Sequence, residues 1–144
     1  VVKDSESSYD SSKRVLKSPT FELTFLSAEL KKDIDGNDSW YVYANIKNLS
    51  KESITPDSIW NAYLKFSDKE KSDEALYQQV LPKKDLDDSE YKTAIDNMSK
   101  EIKPNETMKV GVFYALPKDK SIFLSVINED MTVFHTEELS IPFK

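Results

Sequence analysis

Two short stretches of the 144-residue sequence crowd carboxylates together, and hard-oxygen cation binding is the chemistry such clusters could support. The first is Asp33-x-Asp35-Gly36-Asn37-Asp38. A helix-loop-helix calcium loop sets its glycine sixth and a bidentate glutamate twelfth, whereas here Gly36 stands fourth and Ala44 twelfth. Asp35-Gly36 suits a tight turn instead, because glycine accepts positive φ. The second cluster, Asp85, Asp87, Asp88 and Glu90, precedes a helical pattern and reads as a solvated loop with helix-capping carboxylates. Paired-carboxylate hydrolysis needs two groups about 5 to 9.5 Å apart flanking a sugar in a cleft, which sequence neighbours on a polar loop do not supply. His135 is the single histidine and no G-x-S-x-G nucleophile elbow accompanies it, so a structural histidine is expected. Cysteine is absent, which removes disulfides, thiolate catalysis and cysteine metal sites. The residues call for no cofactor, no metal and no catalytic centre. Asn-x-Ser/Thr sequons stand at Asn37, Asn48, Asn97 and Asn105, all in expected turns, where Asn and Ser gather anyway.

Net charge is −6 with a sequence pI near 4.9, the wrong sign for nucleic acid or an anionic membrane surface. No apolar run approaches the roughly 18 residues of a membrane span, so the chain reads as soluble. With 38% hydrophobic and 11% aromatic residues it can build one packed core.

The elements that would carry these residues are mostly strands. Residues 1–18 hold six serines and no apolar period, and read as a flexible tether; the domain is expected over 19–144. Phe21, Leu23 and Phe25 alternate with Glu22 and Thr24, the period of a half-buried strand. Across the Asp35-Gly36 turn, residues 39–47 place Trp40, Val42, Ala44 and Ile46 on the core face and Tyr41, Tyr43, Asn45 and Lys47 on the other. Residues 59–66 alternate again, with Trp60 expected as the central core aromatic and Trp40 as the more tolerant tryptophan. Residues 108–116 and 121–128, separated by Pro117-Lys118-Asp119-Lys120, are expected to pair as a hairpin, and 131–135 and 139–143 to close the chain as short strands, Pro142 suiting an edge. The segment 67–99 breaks the strand pattern, with nine acidic and five basic residues. Within it Tyr91, Ala94, Ile95 and Met98 follow i, i+3, i+4, i+7 spacing, which predicts a helix over 89–98.

About seven short strands and one inserted helix predict a mainly β fold, an immunoglobulin-like antiparallel sandwich, with an open barrel as the alternative. Tyr41, Tyr43 and Tyr63 lie opposite the tryptophans. They either form an exposed row for a protein or glycan or are covered by the 67–99 insertion. Asp85, Asp87 and Asp88 are the other candidate binding residues, able to steer a basic partner.

The segments F-E-L-T-F-L-S-A-E-L, Y-V-Y-A-N-I-K-N-L-S, I-W-N-A-Y and E-I-K-P-N-E-T-M-K-V-G-V-F-Y-A-L resemble the immunoglobulin-like domains of unknown function in Gram-positive surface lipoproteins, related in fold to the mycobacterial immunoprotective extracellular protein. That family's Pro-Gly-Glu/Asp-Thr turn reads Pro104-Asn105-Glu106-Thr107 here, and Asn tolerates the left-handed backbone the turn needs. The resemblance implies an extracellular, cell-surface, non-catalytic module. Its partner would be an envelope or extracellular protein, or alternatively a glycan, and a membrane would be met only through an N-terminal lipid anchor missing from this chain.

Overall fold

The computed structural model describes residues 7–32, 36, 38–68, 89–115, 122–128 and 131–139. Eight strands among these residues form two antiparallel sheets that face each other across one core, a β-sandwich. The first sheet runs β1-β2-β3-β4-β6, from Ser8–Asp10 (β1), Val15–Lys17 (β2), Phe21–Lys32 (β3), Asp38–Asn48 (β4) and Thr107–Ala115 (β6). The second runs β5-β7-β8, from Leu64–Asp68 (β5), Ile122–Ile127 (β7) and Val133–Leu139 (β8). The described residues also hold two short helices, Pro56–Tyr63 (α1) and Ser89–Asp96 (α2), α2 running into a 3-10 turn at Asn97–Ser99.

The tether expected over residues 1–18 is corrected by β1 and β2. The Asp10 carboxylate accepts hydrogen bonds from Ser12 N at 3.0 Å, Ser12 Oγ at 2.7 Å and Lys13 N at 3.2 Å, which builds the turn between the strands. These bonds, Ser12 first, hold the Asp10 carboxyl below the usual carboxylate range. The serines that resemble a linker are turn chemistry, and Leu16 is fully buried. Residues 1–6 lie outside the described residues.

The β3–β4 hairpin keeps Leu23↔Ile46, Phe25↔Ala44 and Ala28↔Val42 in register, with Gly36 at φ +85° in the connection. A register shift between Phe25 and Ser27 inserts one residue. Phe25 and Ala28 therefore both point inward, and Leu26 is left on the outer face. In the core Phe66 meets Trp40 and Tyr114 at 5.2 Å each and Phe25 and Trp60 at 6.0 Å each, centroid to centroid, mostly in tilted or edge-on geometry. Trp60 is buried as expected and its Nε1 donates to Tyr114 Oη at 2.6 Å. Trp40 is equally enclosed, which removes the expectation that it is the more tolerant of the two.

Two strand expectations are corrected. Residues 56–63 are helical: Pro56, Ile59, Trp60 and Tyr63 fall at i, i+3, i+4 and i+7, a stripe that fits a helix as well as alternation fits a strand, and Pro56 at the first turn decides between them. Only residues 64–68 continue as a strand. β6 and β7 do not pair as a hairpin, because Val110, Val112 and Tyr114 and their counterparts Ile122, Leu124 and Val126 are all core residues that meet across the sandwich. β6 pairs with β4, and β7 with β5 and β8. The first of the two expected closing strands is realised as β8, which spans Val133–Leu139, while residues 140–143 of the second, Pro142 among them, lie outside the described residues.

Candidate functional site

A groove of about 290 Å³ lies at the outer edge of β6, lined by Asp57 and Asn61 of α1, Ile95 and Met98 of α2 and its 3-10 extension, and Gly111, Val112 and Phe113 as its floor. Asp57 and Asn61 are four residues apart and so share one helix face. On the opposite wall the predicted stripe of Ala94, Ile95 and Met98 is realised: Ala94 is buried, Ile95 packs on the outer cluster and Met98 on the main core. The Tyr91 side chain lies outside the described residues.

The spacing of the walls has a local cause. Ile54 and Ile102 form an isolated bridge, with N···O distances of 3.1 and 2.7 Å, immediately before α1 and shortly after the 3-10 turn. Asn48 locks it from beneath. Its fully buried amide donates to Ile102 O at 2.8 Å and Glu52 O at 2.7 Å, while its Oδ1 accepts from Ser50 N at 2.8 Å and Ser50 Oγ at 2.7 Å. All four bonds satisfy a polar group that would be costly to bury unpaired. The sequon at Asn48 is thus a structural device. Asn97, the third sequon, donates its Nδ2 to Lys109 O at 2.9 Å. Asn105 takes φ +68°, as the Pro104-Asn105 turn requires.

The floor depends on Gly111. A Cβ there would stand 2.7 Å from Tyr41 Cζ, so only glycine lets the Tyr41 ring lie across β6. Tyr41 and Tyr43 are buried, with rings at 4.4 Å, and form an outer cluster with Phe113 under Ala94 of α2. Tyr63 is half-buried, edge-on to Phe21 at 4.8 Å. Of the two alternatives the sequence left for this face, an exposed row or a covered one, Tyr41 and Tyr43 take the covered one, under Ala94 and Ile95 of the 67–99 segment. Asp85, Asp87 and Asp88 lie outside the described residues, as do most of residues 33–38.

His135 faces the sandwich's side. Its Nε2 is 2.9 Å from Glu137 Oε1, and its ring lies 4.7 Å from that of Tyr9 in β1. Burial, and then the Glu137 charge, push the Tyr9 phenol well above its ordinary value. Polar groups turned inward on β8, an edge strand among the described residues, discourage edge pairing there. Among the described residues no group of three His, Asp or Glu side chains is placed to hold a metal, and no helix is long and apolar enough to cross a membrane.

Asn61 went unrecognised in the sequence because 59–66 reads as a strand, and Asp57 because it falls in the connection before that segment. Thr55-Pro56-Asp57, a helix start with proline at the first position and an acid in the first turn, is the signal that exposes them.

A two-sheet antiparallel sandwich with two short helices at one strand edge is the class that fold and site define. Within that class, the chain belongs to the DUF5067 family, a domain of unknown function, which matches residues 2–126. Solved structures share the fold. An Enterococcus faecalis protein is similar over 98% of this chain and 97% of its own, with a TM-score of 0.76 at 20% identity. A candidate lipoprotein of Staphylococcus aureus is similar over 93% and 91%, with a TM-score of 0.73 at 19% identity. A conserved hypothetical protein of Bacillus anthracis is similar over 96% and 100%, with a TM-score of 0.54 at 18% identity. No protein of curated function matches the chain.

Proposed function

We propose that this protein is a non-catalytic binding module of a Gram-positive cell envelope, held at the outer surface by a lipid anchor on its precursor, and that it engages an envelope or extracellular protein through the β6 groove. The observation that carries this reading is the groove itself: a concave site with one apolar wall, Ile95 and Met98, facing two polar side chains, Asp57 and Asn61, at the low end of the roughly 300 to 1,000 Å³ usual for ligand sites. The fold likeness to the candidate lipoprotein of S. aureus supports the location, and fold kinship with the mycobacterial immunoprotective extracellular protein belongs to the same reading. His135, held against Glu137 and Tyr9, has the surroundings of a structural residue and not of a general base. The glycan alternative loses its aromatic platform with the burial of Tyr41 and Tyr43. Asp85, Asp87 and Asp88 are proposed to steer a basic partner over a screening length of about 8 Å at physiological ionic strength.

Asn61→Trp fills the groove from an exposed position. A partner captured from envelope extract by the wild-type protein and lost from this variant, at unchanged melting temperature, is the expected result. Equal capture by both proteins, or capture by neither, contradicts the reading.

A further inference from the structure

The backbone of β6 has a definite parity. Asn48 N bonds to Glu106 O, and Asn48 O accepts from Asn105 N, whereas Leu49 N bonds to Thr20 O on the other side. Even-numbered residues of β4 therefore turn toward β6, and with Ile46↔Met108, Ala44↔Val110 and Val42↔Val112 in register the even residues of β6 turn toward β4. The odd residues must turn away. Lys109 confirms the parity independently, since its carbonyl accepts from the Asn97 side chain and not from β4. Gly111 and Phe113, two and four residues on, thus aim both N–H and C=O into the groove.

Lys109 is capped, but among the described residues no strand pairs with the outer edge at Gly111 and Phe113. An open strand edge is a template for another strand, and proteins usually blunt it with bulges, charges or a covering element. Here α1 and α2 flank the edge and leave a channel above it. Asp57 carries a negative charge into that channel, and within the described residues neither its carboxylate nor the Asn61 amide has a hydrogen-bond or ion-pair partner. Ile95 and Met98 supply an apolar wall, thioether-containing surfaces being adaptable ones. Among the described residues no basic side chain lines the groove.

We infer that the groove receives a short extended segment of a partner protein, which adds as a strand to β6 at Gly111 and Phe113 and sets a lysine or arginine side chain against Asp57. This inference rests on the binding-module reading and names the partner's chemistry. Backbone pairing would supply affinity, and Asp57 with the Ile95 and Met98 wall would supply selectivity, the usual division in strand addition.

The probe is a blocked pentapeptide, Thr-Val-Lys-Val-Thr, titrated into the full ¹⁵N-labelled chain beside its Glu-for-Lys and backbone N-methylated counterparts. Saturable shifts are expected at the Gly111 and Phe113 amides and the Asn61 side chain. The Glu peptide should bind on the order of tenfold more weakly and the N-methylated peptide should not bind. Asp57→Asn should abolish the preference for Lys over Glu while leaving the melting temperature unchanged. The inference is overturned by an absence of shifts at Gly111 and Phe113, by equal affinity for the Lys and Glu peptides, or by an undiminished preference in Asp57→Asn. If Asn61→Trp still loses its envelope partner while these peptides fail, the strand-addition inference falls and the binding-module reading stands. If capture is indifferent to Asn61→Trp, the module reading falls first.

Discussion

Trp60→Ala should lower the free energy of unfolding by about 3 to 5 kcal/mol, the usual loss for a large core aromatic. Trp60 is 1% exposed, stands edge-on to Phe25 at 5.9 Å, and donates its indole N–H to Tyr114 Oη. The substitution therefore opens a cavity and removes a buried hydrogen bond in one step. Urea denaturation followed by circular dichroism is the check, with the slope held equal to wild type so that the midpoint reports stability alone. Because α1 presents Ile59 and Trp60 to the core from one face and Asp57 and Asn61 to the groove from another, the variant should also broaden resonances along the groove. A loss below about 1 kcal/mol would mean that Trp60 is not a core residue.

Deleting residues 1–18 should destabilise the domain by several degrees, the opposite of what a tether predicts. Leu16 is fully buried in the main core and pairs with Leu23, and Ser7 N donates to Asn128 Oδ1 at 3.1 Å, tying the first sheet to the second. Losing a buried leucine alone costs about 2 to 5 kcal/mol, and a domain of this size shifts by roughly 3 to 4 °C per kcal/mol. The hairpin also shields the inward-facing His135 and Glu137 of β8 through Tyr9, so its removal leaves polar groups beside an open core. Differential scanning calorimetry of the full chain against a chain starting at Pro19 decides the matter. Equal melting temperatures would restore the tether.

The strands that carry a clean period of two were readable from residue types. Phe21 to Phe25 and Trp40 to Ile46 alternate as they do because one face is buried, and a one-residue slip would expose every core side chain. The helix over 89–98 was readable for the same reason at its own period. Residues 56–63 defeat the method because Ile59, Trp60 and Tyr63 satisfy both periods, and only the local signal of Pro56 separates them. The choice of partner for β6 was not readable either: two apolar strands with a four-residue turn signal between them fit a hairpin, and nothing local states that both core faces must oppose each other across the sandwich. The groove was out of reach for a related reason. Its parts come from residues 57–61, 95–98 and 111–113, brought together by the Ile54↔Ile102 bridge and the Asn48 network, and no short window of sequence contains them. The tyrosine surface failed as a site because a sheet has two faces and the covering element was the insertion itself.

Amide hydrogen exchange along β6, resolved residue by residue on the full chain, tests the open edge most directly. Alternation is the predicted result: slow exchange at Val110 and Val112, whose N–H groups bond to β4, and exchange at least about a hundredfold faster at Gly111 and Phe113, whose N–H groups face the groove. Uniform protection from Val110 through Phe113 would show that the edge is already occupied and would contradict the account.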